Sequence, residues 1–296
     1  MGLSTRLLLE GDEERVDSFL KPHTPFAFYM RSNAKRGGLR YNGQSYQSDY
    51  FGVFDSDVLV GVLTHSWLSG VQLFAVEPRF IPPLAEALRL YRCQYPREIE
   101  CFLGPADQIK ILLETLGILP SAFSKEKEGE GLFALSLLKT IVPSVLKKAE
   151  IKVRRGCLAD VDQLIAWRHD FNVESHGVPS GQKTYDKAKA EISGRIQDGE
   201  FFVLEENGRM VSFCGAGGFL PDWRGVDSVW TPPDLRGRGY ARAVTAGALL
   251  MLRSEGVENA VLCAVRPEAI KAYRAIGFER LADWRLDFLI NPVERL

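Results

Sequence analysis

The same order of predicted helices and strands occurs in both halves of this chain of 296 residues. This recurrence is the sequence feature that most constrains the fold. Displaced by 160 residues, an amphipathic helix that ends at Gly117 falls on another that ends at Gly277. The first hairpins, at residues 51–61 and 202–212, also correspond. Any amphipathic helix with a glycine cap could align in this way, but the shared order favours duplication. The recurrence predicts two copies of one fold, in domains at residues 1–145 and 151–296.

Hydrophobic patterning in the C-terminal half predicts strands and helices in a mixed order. The predicted strands lie at residues 151–155, 201–205, 209–216, 227–231, 259–265 and 284–290. The predicted helices lie at residues 158–172, 184–198, 239–254 and 267–276. An Asn207-Gly208 turn joins the second and third strands, as is typical of a hairpin. This order predicts an α/β or α+β fold with a mixed sheet.

Composition and charge exclude several classes of protein. The net charge of −1 gives no electrostatic basis for binding nucleic acid or an anionic membrane. Five scattered cysteines without a CxxC pair argue against a disulfide framework and a thiolate metal site. The N-terminus does not resemble a signal peptide, and no apolar run is long enough to span a bilayer. We expect a cytoplasmic protein, monomer or homodimer, that binds no metal.

Residues 229–241 carry the most informative pattern, in which a strand ends in two prolines before a turn and a helix. Gly237 and Gly239 allow the backbone to approach a phosphate without a Cβ in the way. Amides at the start of a helix bind anions, and Arg236 and Arg238 add positive charge. The prolines cannot donate ladder hydrogen bonds, so pairing with the next strand should stop there. The pattern predicts a phosphate cradle, although it is neither a dinucleotide fingerprint nor a P-loop.

Two motifs in this half resemble those of the GNAT (N-acetyltransferase) superfamily. Residues 236–241 match its Gln/Arg-x-x-Gly-x-Gly/Ala motif, and the Thr-Pro-Pro before them resembles the glycine N-acyltransferase-like branch. Residues 266–278 resemble a second signature, Asn-x-x-Ala-x-x-x-Tyr-x-x-x-Gly-Phe, except that Arg266 replaces the asparagine. The resemblance covers about residues 151–290. Together with the recurrence of elements in the first half, it implies tandem GNAT-like domains.

The resemblance also implies a cofactor, acetyl-CoA, and the residues that bind it. Backbone amides would hold the pyrophosphate at Arg236, Gly237, Arg238, Gly239, Tyr240 and Ala241. The pantetheine arm would pair with the strand at Val229, Trp230 and Thr231. Tyr273 would lie near the sulfur atom.

Acyl transfer to an amine requires an acid for the leaving thiol and a base for the ammonium. Tyr273 can act as the acid because a phenol is still protonated at pH 7, although it could also be a core aromatic residue. Asp227 is one candidate base, and strand alternation would place it on the same face as Val229. Glu174 and His176 lie in the loop that shapes the acceptor pocket in the family, and water is a further alternative.

These expectations describe an N-acetyltransferase that modifies the primary amine of a small molecule or amino acid. The alternatives are transfer of longer acyl chains to amino acids, and a coenzyme A-binding regulatory module without turnover. In the first half, Arg79, Ile81 and Leu113 stand where the second half has Gly239, Ala241 and Tyr273. The N-terminal half is therefore predicted to be a degenerate copy without a cofactor site.

Overall fold

A computed structural model describes residues 2–39, 43, 47–123 and 130–293. The chain divides into two compact units, Met1–Leu132 with Leu281–Leu296, and Phe133–Arg280, called unit 1 and unit 2 below. The division differs from the expected domains, because residues 133–145 belong to unit 2 and residues 281–296 to unit 1. In the part of the chain that the structure describes, no helix combines the length and the apolar character needed to cross a membrane.

The elements alternate in type along the chain, as the patterning predicts. In order they are β1 (Leu3–Leu8), α1 (Glu13–Leu20), α2 (Thr24–Gly37), β2 (Ser48–Asp55), β3 (Val58–Ser66), β4 (Gly70–Ala75), α3 (Ile81–Gln94), β5 (Ile99–Pro105), α4 (Ala106–Leu116), β6 (Gly131–Ser136), β7 (Ile151–Arg155), α5 (Val161–Phe171), α6 (Gln182–Arg195), β8 (Phe201–Glu206), β9 (Arg209–Gly217), β10 (Trp223–Trp230), α7 (Tyr240–Ser254), β11 (Asn259–Ala264), α8 (Pro267–Arg274) and β12 (Glu279–Val293).

Unit 1 contains strands in the order β1-β2-β3-β4-β5-β12. Neighbouring strands are antiparallel except β4 and β5, which are parallel. Helix α4 buries the stripe Ile109, Leu112 and Leu113, and it ends at Gly117 in the left-handed conformation. The Ile118 amide then donates to the Leu113 carbonyl, a helix ending that glycine favours. The parallel β4–β5 pair follows from the crossover helix α3 between them.

Unit 2 contains strands in the order β6-β11-β10-β9-β8-β7, with β10 and β11 parallel. Helix α7 packs on one face of this sheet, where its buried side chains share a cluster with Val226 of β10. Helices α5 and α6 pack on the other face, around Phe201, Phe213 and Trp230. The antiparallel and parallel pairs in both units confirm the mixed α/β fold that the sequence predicts.

A β-bulge at Asp227 interrupts strand β10. The register with β9 shifts between Val226 and Ser228, so Asp227 is an extra residue. Val229 then packs on the α7 face, whereas the Asp227 carboxylate contacts Arg195 of α6. The expectation that Asp227 and Val229 share a face is therefore wrong, because strand alternation does not hold across a bulge.

Candidate active site

Strands β10 and β11 separate before β10 ends and leave a gap in the sheet of unit 2. They pair only from Trp223 to Val226, whereas β10 stays paired with β9 as far as Trp230. Pairing with β11 stops earlier than the two prolines predict, and it ends at the residue before the bulge at Asp227. The Trp230 carbonyl accepts a hydrogen bond from Ser212 of β9, at 2.7 Å. Successive peptide groups of a strand point in opposite directions, so the N–H and carbonyl of Val229 face the gap.

The turn at the end of β10 leads directly into helix α7. Gly237 and Gly239 have φ of 79° and 83°, the left-handed region that glycine tolerates best. Gly239 immediately precedes the first helical residue, Tyr240. The first amides of a helix have no intrahelical acceptors, and the helix dipole makes this end positive. The predicted cradle therefore has the backbone conformation and the donors that an anionic group requires.

The other predicted cofactor residues lie around this turn. Thr231 is buried, and its hydroxyl is 2.9 Å from the Ser212 hydroxyl. Trp230 is buried on the α5 and α6 face, and the Arg236 guanidinium lies over its ring, 4.8 Å from the centroid. Tyr240 is buried in the α7 cluster, while the backbone of Arg238 and Ala241 lies beside the two glycines. The structure thus groups these residues at one end of the gap.

Tyr273 lies on α8 and packs against the same cluster as α7. Its ring meets Phe278 edge-on, with 5.9 Å between the ring centroids. Burial raises the pKa of Tyr273, and the nearby Cys214 and Asp227 raise it further. Cys214 is paired across the sheet with Val229, so the phenol lies on the α7 face near the gap. The phenol therefore stays protonated over the whole physiological pH range.

Asp227 belongs to a network of buried charges around Arg195. One Asp227 oxygen accepts from Arg195 at 2.6 Å and the other accepts from the Ser228 hydroxyl at 2.8 Å. Arg195 also pairs with Glu191, at 2.8 Å, and with Glu200. Burial favours a higher pKa for Asp227, but the charges of Arg195 and Arg168 and the hydrogen bonds from Ser228 and Arg195 together outweigh burial, and the pKa is lowered. Asp227 is consequently a weak base with both oxygens engaged.

Glu174 lies in a short π-helical segment, Asn172–His176, that follows α5. Its carboxylate accepts from Arg236 at 2.8 Å through one oxygen and from Arg266 through the other. The bond from Arg236 lowers the pKa of Glu174, against the effect of burial, and Arg266 lowers it further. Arg236 also donates from Nε to the Thr231 carbonyl, at 3.0 Å. The structure therefore brings Glu174 to the end of the gap as a paired carboxylate.

His176, from the same segment, packs edge-on against Phe171, with 5.3 Å between the ring centroids. Phe171 in turn contacts the Trp230 ring. The Phe171 ring thus links His176 to the end of the strand. The sequence did not predict the ion pair of Arg266 with Glu174. The only signal at this position was that Arg266 replaces the usual asparagine.

Unit 1 has a similar gap that a side chain fills. Strands β4 and β5 pair from Gly70 to Gln72 only, and β4 continues to Ala75. Gln108, in the first turn of α4, accepts from the Ala75 N–H at 2.9 Å and donates to the Ala75 carbonyl at 2.8 Å. The peptide group that faces this gap is therefore satisfied from within the protein.

The residues of the gap and the cradle fall within a known domain family. Residues 197–280 match the family described as acetyltransferase (GNAT) domain. No protein with a curated description matches the sequence.

Several solved structures resemble the whole chain. A Drosophila protein has 13% sequence identity and a TM-score of 0.68, with 97% of this chain and 99% of that chain covered. A GCN5-related N-acetyltransferase from Sphaerobacter thermophilus has 14% identity and a TM-score of 0.58, with 99% and 98% covered. A tandem GNAT protein from the clavulanic acid biosynthesis pathway has 13% identity and a TM-score of 0.53, again with 99% and 98% covered. The chain therefore has a tandem GNAT fold, as the sequence motifs predict.

Proposed function

We propose that unit 2 catalyses acetyl transfer from acetyl-CoA to the primary amine of a small molecule or amino acid. The observation that carries the proposal is the gap beside Val229, which leads to the glycine cradle at the start of α7. The match to a GNAT acetyltransferase domain covers both features.

The residues at the gap fit the chemistry of acyl-CoA. The amides from Arg236 to Ala241 would hold the pyrophosphate, since the two glycines there have positive φ and bring no Cβ to the site. The Val229 carbonyl would accept a hydrogen bond from an amide of the pantetheine arm, which leaves the Val229 N–H for the acyl oxygen. The bound cofactor supplies an acyl group that is activated as a thioester.

Backbone and side-chain donors at the gap provide two catalytic functions. The Val229 N–H stabilises negative charge as it develops on the acyl oxygen, and a fixed backbone donor loses little energy in reorganising. Tyr273 donates its proton to the departing sulfur, and its raised pKa keeps that proton available. These roles place the acid on α8 and the oxyanion donor on β10.

Water would remove the proton from the attacking amine. Asp227 has its oxygens engaged by Arg195 and Ser228, and its pKa is lowered, so protonating it would disrupt an ion pair. Its fixed negative charge instead favours the positive charge that the attacking amine acquires. Glu174 is a weak base for the same reason, because two arginines hold its carboxylate.

Unit 1 is proposed to be a degenerate copy without a cofactor site. Gln108 makes the two hydrogen bonds at Ala75 that a bound acyl-CoA would make in a working copy. Arg79, which stands where unit 2 has Gly239, pairs with Glu77 at 3.1 Å. Both observations support a preserved fold whose gap is already filled.

An acceptor screen tests the proposal. Primary amines are incubated with acetyl-CoA, and free thiol is measured in the wild-type protein and in Tyr273→Phe. We expect thiol release that depends on the amine and is strongly reduced in the variant. Release with a long-chain acyl-CoA but not with acetyl-CoA would favour the longer-chain alternative. Binding of acetyl-CoA without release for any amine would favour the regulatory alternative.

A further inference from the structure

Two guanidinium groups converge on one carboxylate at the end of the gap in unit 2. Arg236 and Arg266 both donate to Glu174, each to a different oxygen. We propose that this arginine pair is a carboxylate-recognition site, and that Glu174 occupies it until the carboxylate of the acceptor replaces it. The inference rests on the proposed function and narrows the acceptor to amines that also carry a carboxylate.

The orientation of Arg236 places the site on the α5 and α6 face of the sheet. Its guanidinium lies over Trp230, which belongs to the cluster formed with α5 and α6. Helix α7, whose first amides form the phosphate cradle, packs on the opposite face. An anion bound at the cradle and an anion bound by the Arg236 side chain therefore approach from different faces.

The arginine pair retains unused hydrogen-bonding capacity. Arg236 uses Nε for the Thr231 carbonyl and one terminal nitrogen for Glu174. Within the described residues, the Arg266 guanidinium bonds only to Glu174. Each guanidinium offers five N–H donors, and bidentate binding of carboxylates is its preferred mode. Two positive charges thus face one negative charge, with donors left for a second anion.

Exchange of one carboxylate for another is feasible here because the ion pairs are accessible. The side chains of Arg236, Arg266 and Glu174 are 37%, 44% and 32% exposed. Ion pairs with this exposure are individually weak, since water and salt compete with them. Glu174 therefore keeps the two guanidinium groups together without blocking a ligand that brings its own carboxylate.

The position of Tyr273 indicates the length of the acceptor. Arg266 caps the start of α8 and Tyr273 lies two turns later, so about 10 Å of helix rise separates them. The amine reacts near Tyr273 whereas the carboxylate binds near Arg266. We therefore expect several bonds between the two groups of the acceptor.

Matched acceptors of increasing length test the assignment. The rate constant kcat/KM is measured at saturating acetyl-CoA for unbranched ω-amino acids and for alkylamines of equal length. Binding of the same compounds is measured by thermal shift, which does not depend on turnover. We expect the wild-type protein to favour the ω-amino acids by at least about tenfold, the discrimination typical of a charge-assisted pair.

Variants of Arg266 and Glu174 separate recognition from general effects. Arg266→Ala should abolish the preference, whereas Arg274→Ala, on the same helix, should retain it. Glu174→Gln removes the competing carboxylate and should lower KM for the ω-amino acids about three- to tenfold, with little effect on alkylamines. Asp170 contacts His169 and not the arginine pair. Asp170→Asn, which also removes a negative charge, should therefore leave KM for the ω-amino acids unchanged.

Three results would overturn the inference. Equal kcat/KM and equal thermal shifts for both series would show that no carboxylate is recognised, while acetylation of the alkylamines would keep the proposed function intact. Weaker binding of coenzyme A, but not of dephospho-coenzyme A, in Arg266→Ala would assign the arginine pair to a cofactor phosphate. A preference that survives in Arg266→Ala would place recognition elsewhere.

Discussion

Replacement of Gly239 by valine tests the phosphate cradle directly. Gly239 has φ of 83°, and a Cβ there would lie 3.2 Å from Val145 Cγ2. Left-handed backbone costs a β-branched residue about 1–3 kcal/mol, which for a unit of this size lowers Tm by roughly 2–12 °C. Acetyl-CoA at 100 times its Kd should stabilise the wild-type protein by about 2.7 kcal/mol. We expect the variant to fold and to lose this stabilisation, because its side chain occupies the place of the phosphate.

Gly256 provides the matched control. It follows α7 at the opposite end, about 22 Å away by helix rise, and has φ of 94° with no atom within 4 Å of an added Cβ. Gly256→Val carries a similar backbone cost but should keep the full thermal shift with acetyl-CoA. Differential scanning fluorimetry with a titration of acetyl-CoA measures both variants. An undiminished shift in Gly239→Val would refute the cradle.

Three further predictions concern single side chains. Tyr273→Phe should lower kcat about 10²–10⁴-fold with little change in KM, and pH–rate profiles should keep their shape below pH 10 because the pKa of Tyr273 is raised. Gln108→Ala should destabilise the chain by about 1–3 kcal/mol in denaturant titrations, since Ala75 loses two partners, while calorimetry should show unchanged acetyl-CoA binding. Arg154 lowers the pKa of Asp160 to about 2, so Asp160 contributes stability above pH 4 and loses it as the pH falls towards 2. Asp160→Asn should remove on the order of 2 kcal/mol at pH 7, and its stability curve should meet that of the wild-type protein near pH 2.

Local sequence patterns predict most of the helices and strands. Pairing between strands orders those that the patterns miss. The strand predicted at residues 151–155 agrees with β7, and the helix predicted at residues 239–254 agrees with α7 to within one residue. Strand β1 was not predicted, since most of its residues are exposed and it is ordered by pairing with β2. The assignment of residues 281–296 to unit 1 depends on contacts of β12 with β5, which no local pattern encodes.

The candidate site shows the same division between local and distant information. The turn at Gly237 and Gly239 and the helix start that follows it could be predicted, because positive φ and a helix start are local properties. The ion pair of Glu174 with Arg266 joins residues 92 positions apart, and that of Arg195 with Asp227 joins residues 32 apart. Neither pair has a sequence signal, so residue type and position on a strand or loop predict the candidate bases but not their partners. Their partners, which the structure adds, make both carboxylates poor bases.

The gaps in the two units differ in the side chain that stands at the start of the following helix. A buried peptide group without a partner is costly, so the end of each gap must be satisfied by the protein or by a ligand. In unit 1 the Gln108 amide both accepts from and donates to Ala75. At the displacement of 160 residues, unit 2 has Glu268 in this place, and an ionised carboxylate only accepts hydrogen bonds. An ionised Glu268 therefore could not donate to the Val229 carbonyl as Gln108 donates to Ala75, and we expect a ligand amide to bind there.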